Sequence, residues 1–104
     1  MCRRASGAPL VSWFSVPRAR FAWLRGSPGR FQSSVKASRS FCPLCGTQLT
    51  LDDSDWPDQL DVTICSLDDP NAIAPEHHTH GGAKLDWVGL DDGLPQYRAG
   101  HAEG

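Results

Sequence analysis

Short apolar runs alternate with turn-forming residues along the first part of the chain. Leu10–Val16 lies between two prolines, Phe21–Arg25 forms a second apolar and aromatic run, and Phe31–Ser38 has one polar face. Runs of this length, bounded by Gly, Pro and Ser, are typical of β-strands. The pattern therefore predicts a three-strand meander whose arginine side chains lie on the solvent face.

Two more strands are predicted in the middle of the chain. Thr47–Leu51 is one of them, and apolar side chains occupy alternate positions over 60–65, the period of a strand with one buried face. Cys65 ends this second run, and we expect its small side chain to be buried or half-buried. The turn-rich, acidic residues that follow are predicted to form loops and caps. A mainly β fold follows from this pattern.

Charge divides the chain into two parts although the 104 residues sum to a formal net charge of only −2. Residues 1–40 carry eight basic side chains and no acidic one, whereas 41–104 carry two basic and all twelve acidic ones. A basic, serine-rich stretch is typical of a mitochondrial transit peptide, and clustered arginine is also typical of a nucleic-acid-binding arm. Interrupting prolines and glycines and five aromatic residues favour folded β structure over both.

The chain also lacks the sequence signals of membrane insertion and secretion. No run approaches the roughly 18 apolar residues that a membrane span needs, which predicts no membrane partner. There is neither the apolar region of a signal peptide nor a disulfide framework. We therefore expect a reducing, cytoplasmic setting.

The clearest chemical signal is the knuckle Cys42-Pro43-Leu44-Cys45, which is followed by Gly46. Two thiolates at this spacing on a tight turn converge on one tetrahedral metal ion, most often Zn²⁺, with a Zn–S distance of ~2.3 Å. Gly46 permits the left-handed backbone conformation that turns N–H groups toward the sulfurs. A redox dithiol is the alternative, but that motif normally opens a helix in a βαβ unit. A strand is predicted here instead, so we favour a metal site.

A structural zinc site takes four ligands, and the knuckle supplies two. No histidine pair lies at the zinc-finger spacing beyond it. The clustered histidines lie on a stretch rich in Gly and Pro, and we expect them to be solvent-exposed loop residues, with His78 the nearest candidate for a general acid or base. The remaining candidate ligands are Cys2, Cys65, His77, His78, His80 and His101.

An ordered series of motifs resembles the glutathione-dependent formaldehyde-activating enzyme family, which also includes centromere protein V. The resemblance covers residues 1 to about 97, and no single motif in it is decisive. Its parts, in chain order, are Cys2–Pro9, Trp13, Phe41–Leu49, Asp61–Ile64, Ser66–Pro70, Pro75, His78, Trp87 and Asp92–Tyr97.

The resemblance implies a zinc-containing, β-rich fold called a β-tent, with a structural and a catalytic metal site. By similarity, Cys42 and Cys45 are the later pair of the structural zinc site, and Cys2 is the last cysteine of a catalytic C-x-C-x-x-C motif. The implied activity is that of a carbon–sulfur lyase that joins or releases formaldehyde and glutathione as S-hydroxymethylglutathione. The implied partner is thus a small thiol adduct rather than a nucleic acid, and the implied cofactor is zinc.

The chain also departs from the family pattern. It begins at Met1, inside the catalytic motif, without the first two catalytic cysteines and without the N-terminal C-x-C segment. We therefore expect an N-terminally truncated member, with one family domain over 1–97 and a frayed tail over 98–104. The resemblance favours an enzyme, and the missing thiolates leave the activity of this chain open.

Two other functions stay open from the sequence. The first is a zinc-binding structural or interaction module without catalysis. The second is a precursor whose basic N-terminal segment is a targeting signal.

Overall fold

The computed structural model describes residues 2–80, 82 and 84–99, and its regular structure is one short helix and one sheet. Brief 3₁₀ turns cover Arg18–Arg20, Ile64–Ser66 and Pro70–Ala72. None of the helices in the described ranges is long and apolar enough to cross a membrane. In chain order the elements are α1 (Cys2–Ser6), β1 (Trp13–Pro17), β2 (Gly29–Gln32), β3 (Ala37–Phe41), β4 (Gln48–Asp53) and β5 (Gln59–Thr63).

The five strands form one antiparallel sheet in the order β1-β5-β4-β3-β2. The mainly β prediction is confirmed, because the regular structure of the described residues is this sheet and the five-residue helix α1. Strands β2, β3 and β4 are each paired with the next strand along the chain. Strand β1 lies at the edge of the sheet and pairs with β5, so that Trp13 is opposite Thr63 and Pro17 is opposite Gln59. Proline lacks a backbone N–H and is tolerated at an edge strand such as β1. The basic part of the chain thus contributes β1, β2 and most of β3.

The predicted meander over the first three apolar runs is wrong. The first run does form β1, but β1 pairs with β5 instead of with the next strand. Arg18 holds β1 there, because its amide donates to the Asp58 carbonyl at 2.9 Å and its guanidinium forms an ion pair with Asp52. The run Phe21–Arg25 forms no strand, and the ring of Phe21 packs edge to face on Trp23 at a centroid distance of 5.0 Å.

The third predicted strand is also divided. The chain turns between β2 and β3, where the amides of Ser33 and Ser34 both donate to the Ala37 carbonyl, at 3.0 and 3.3 Å. The Ser34 hydroxyl in turn accepts from the Ala37 amide at 3.1 Å. Side chains that hydrogen-bond nearby backbone in this way favour turns over continued strand. A local hairpin therefore replaces the long strand.

The two later strands are confirmed as β4 and β5, although β4 begins and ends later than predicted and β5 ends earlier. The chain leaves the sheet after Thr63 and enters the 3₁₀ turn Ile64–Ser66. The prediction of a buried or half-buried Cys65 is wrong, because this turn leaves its side chain exposed. The Ser66 hydroxyl donates to the Thr63 carbonyl at 2.9 Å and helps to end the strand there.

Polar side chains make up much of the buried part of the sheet. Among the described residues, the buried hydrophobic side chains are Leu60 and Ile64. Buried polar groups need hydrogen-bond partners inside the protein. The Thr63 hydroxyl, for example, donates to the Gln48 carbonyl at 2.8 Å. The buried polar and charged residues are Arg39, Ser40, Thr50 and Thr63.

Two compact units can be distinguished along the chain. The sheet unit is Ser12–Ile73, and the terminal unit joins the described parts of Met1–Val11 and Ala74–Gly104. In the terminal unit, an isolated parallel bridge pairs His78 with Gln96. The carbonyls of Arg98 and Ala99 accept backbone hydrogen bonds at 3.3 and 3.1 Å, whereas the rest of the predicted frayed tail lies outside the described residues. One family domain over 1–97 stays a prediction.

Candidate metal centre

The knuckle is the loop that joins β3 to β4. The amide of Cys42 donates to the Thr47 carbonyl at 2.8 Å, and the amide of Gly46 donates to the Cys42 carbonyl at 2.7 Å. Gly46 has a φ of 81°, in the left-handed region that residues with a side chain rarely adopt. These two hydrogen bonds and the conformation of Gly46 reverse the direction of the chain within residues 42–47, as the C-x-x-C-G pattern predicts.

The thiols of Cys42 and Cys45 lie next to each other on this loop. Cys42 is half-buried, whereas Cys45 is exposed, and the Cys45 sulfur lies 3.1 Å from the hydroxyl oxygen of Thr47. Hydrogen bonds from the Thr47 hydroxyl, from the Thr47 amide and from the Cys42 thiol hold the pKa of the Cys45 thiol below its ordinary value. A soft metal ion is bound by the thiolate form, so this pair has the chemistry that zinc requires.

Within the described residues, no metal cluster forms around the knuckle. Across 2–80, 82 and 84–99, no group of three or more His, Cys, Asp or Glu side chains has the arrangement of a metal site. Cys2 lies half-buried in α1 and belongs to the terminal unit. Cys65 is exposed in the sheet unit, with its sulfur 3.7 Å from the hydroxyl oxygen of Ser12. The structure therefore brings Cys42 and Cys45 together as a pair.

The histidines differ from the expectation of a solvent-exposed cluster. The His78 side chain is only 17% exposed, and its Nε2 lies 2.8 Å from Oδ2 of Asp92. His77 is half-buried and packs edge to face on Tyr97 at a centroid distance of 5.6 Å. His80 is exposed as predicted, and His101 lies outside the described residues. The prediction is thus wrong for the first two histidines, because the segment around Gln96 pairs with them.

The Asp92 carboxylate has two hydrogen-bond partners in the terminal unit. Its Oδ1 accepts from the Leu94 amide at 3.1 Å, and its Oδ2 is hydrogen-bonded to Nε2 of His78. The amide of Leu94 and, next, His78 hold the pKa of Asp92 below its ordinary value. An imidazole positioned by a carboxylate is a common arrangement for proton transfer.

Residues 1–82 match the family model of the glutathione-dependent formaldehyde-activating enzyme. The chain belongs to this family. The family that the motifs indicated is thereby confirmed over residues 1–82, whereas the resemblance extended to about residue 97. A formaldehyde-activating, glutathione-related function is supported at family level. A comparison with curated proteins found no match.

The family match spans Cys2, the knuckle and all five strands, and it ends before Asp92. Two contributors to the candidate sites were not predicted as site residues from the sequence. Thr47 follows Cys45 by two residues, and a hydroxyl at that spacing was the available signal for a hydrogen bond to the sulfur. Asp92 lies 14 residues from His78, and nothing in its local pattern indicates that partner.

Proposed function

We propose that this chain is a zinc-dependent carbon–sulfur lyase of the formaldehyde-activating family that acts on the glutathione–formaldehyde adduct. The observation that carries the proposal is the family match over 1–82, which includes an adjacent thiol pair with the hydrogen bonds of a thiolate site. We also propose the β-tent architecture of the family and a cytoplasmic setting, in which thiols stay reduced.

The proposed ligands of the structural zinc are Cys42 and Cys45. Their thiols are adjacent, and Thr47 donates toward the Cys45 sulfur through its hydroxyl and its amide. Such outer hydrogen bonds orient a ligand and stabilise its charged form. Cys2 is proposed, by similarity to the family, as a ligand of the catalytic zinc. When bound there, zinc would supply a Lewis acid and stabilise a thiolate.

The proposed reaction makes or breaks one carbon–sulfur bond. In the joining direction, the sulfur of glutathione bonds to the carbonyl carbon of formaldehyde, and the thiol proton is transferred to the carbonyl oxygen. In the lyase direction, the carbon–sulfur bond breaks and the proton returns to sulfur. The chain has to bind and orient the thiol, since positioning supplies much of the rate of such an addition.

The proposal is tested on the full chain expressed with zinc. We expect tightly bound zinc by elemental analysis and turnover of S-hydroxymethylglutathione followed by NMR spectroscopy. Cys42→Ser and Cys45→Ser should each lower the zinc content, and Cys2→Ser should remove turnover while the fold persists. Cys65→Ser is the matched control, because Cys65 is exposed in the 3₁₀ turn Ile64–Ser66, and it should change neither quantity.

Two results would contradict the proposal. A chain without zinc and without turnover would refute it outright. Zinc bound through Cys42 and Cys45 with no turnover would instead indicate a zinc-binding structural or interaction module.

A further inference from the structure

A cavity of about 390 Å³ lies in the terminal unit, beside α1. Its lining residues include Arg3 and Arg4 from α1 and Leu85 and Trp87 from the later part of the chain. Its volume is within the range of roughly 300–1,000 Å³ that is typical of small-molecule sites. The cavity therefore has room for a ligand about the size of a short peptide.

The lining of the cavity combines cationic and apolar side chains. Both arginines are exposed, and no carboxylate in the described part of the chain pairs with either guanidinium. A guanidinium presents a planar fork of N–H donors that matches a carboxylate. The Trp87 side chain is 73% exposed and offers an apolar surface. Together these features fit a small organic acid with a hydrocarbon segment.

The position of the cavity relates it to the proposed chemistry. Arg3 directly follows Cys2 in α1, and the five residues of this helix rise over about 7 Å. A tripeptide spans at most about 10 Å when extended. A tripeptide whose thiol lies near Cys2 can thus place a carboxylate beside the two arginines.

From this geometry we propose that the cavity is the subsite for a carboxylate group of glutathione, held by Arg3 and Arg4 with Trp87 against the peptide. The inference rests on the proposed function, since that function supplies glutathione as the substrate. It adds the residues that recognise the part of the substrate remote from sulfur. Binding of that remote part positions the thiol for reaction.

The test uses S-methylglutathione, which keeps both carboxylates but has no thiol to bind a metal. Binding to the full chain is measured by NMR chemical-shift changes. Arg3→Gln and Arg4→Gln should each weaken binding about three- to tenfold, the effect of one lost charged hydrogen bond at an exposed site. Arg→Lys at the same positions should restore part of the loss. Arg25→Gln is the control, because Arg25 is an exposed arginine of the sheet unit, and it should have no effect.

A second probe separates carboxylate recognition from general attraction. The diethyl ester of S-methylglutathione should bind weakly to the unmodified chain and should not respond to the arginine variants. Equal binding of the ester, absence of S-methylglutathione binding, or equally tight competition by inorganic phosphate would each overturn the proposal.

Failure of this inference and failure of the proposed function give different results. Arginine-dependent binding of S-methylglutathione in a chain without zinc and turnover would support the subsite and refute the lyase. Turnover of S-hydroxymethylglutathione with the same KM in Arg3→Gln, Arg4→Gln and the unmodified chain would support the lyase and overturn the subsite.

Discussion

The hydroxyl groups of Ser40 and Thr50 are hydrogen-bonded to each other inside the sheet, where the two residues face each other across β3 and β4. Ser40 is 1% exposed and Thr50 is 4% exposed, so neither hydroxyl can exchange its partner for bulk water. A buried polar pair of this kind stabilises a particular register, because a shift of one strand by one residue would place the two side chains on opposite faces of the sheet.

Removing one member of this pair should destabilise the sheet. Ser40→Ala leaves the Thr50 hydroxyl buried without its partner, which costs about 1–3 kcal/mol. The double variant Ser40→Ala with Thr50→Val removes both polar groups, and we expect a loss smaller than the sum of the two single losses. Chemical denaturation of the four proteins measures this coupling. Strict additivity would show that the hydroxyls do not interact.

Gly29 in β2 should not accept a larger residue. It is opposite Phe41 in β3, and a β-carbon at position 29 would overlap the Phe41 ring. Gly29→Ala is expected to lower the free energy of unfolding by about 1–2 kcal/mol, in the range of overpacked sites. Adding Phe41→Leu should recover part of the loss. Gly89→Ala is the control, since a β-carbon there meets no atom within 4 Å, and its stability should match the unmodified chain.

Asp92 should make stability depend on pH in a definite direction. Its pKa is held below the ordinary value by the Leu94 amide and by His78, so the folded chain favours the ionised carboxylate. The stabilisation is therefore full above the ordinary aspartate pKa and is lost as the pH falls through the lowered one. Asp92→Asn should be less stable than the unmodified chain at neutral pH, with the difference disappearing in acid.

Thermal unfolding over a series of pH values measures that difference. Asp91→Asn is the matched control, because Asp91 is the exposed neighbour in the same turn and should show no comparable trend. A constant difference between Asp92→Asn and the unmodified chain at every pH would contradict the prediction.

Thr47 should influence how firmly zinc is held, if Cys42 and Cys45 bind it as proposed. Thr47→Val removes the hydroxyl that lies 3.1 Å from the Cys45 sulfur and keeps the shape of the side chain. Loss of such a hydrogen bond to a ligand typically lowers metal affinity by about 10-fold or more. Competition with a chelator measures the change, and Thr47→Ser should keep most of the affinity. Equal affinity in Thr47→Val and the unmodified chain would show that the hydroxyl does not support the ligand.

Local features of the chain were predictable from the sequence. The knuckle turn depends on residues 42–47 alone, and Gly46 adopts the left-handed conformation that the pattern indicates. Strand β5 follows from the period of its side chains, and β4 was predicted as the strand after the knuckle. The ordered motifs were sufficient to indicate the family, because each is short and keeps its residues close along the chain.

Features that join distant parts of the chain were decided only by the tertiary structure. The pairing of β1 with β5, of Ser40 with Thr50 and of His78 with Asp92 depends on which segments meet, and hydrophobic periodicity reports the exposure of one segment at a time. Cys65 shows the same limit, since its strand pattern is regular but the chain turns away after Thr63.

The sequence by itself determined the thiol pair and most of the strands. The tertiary structure determined the strand order and the partners of the polar side chains, because backbone and side-chain hydrogen bonds between segments select among pairings that local patterns leave equivalent.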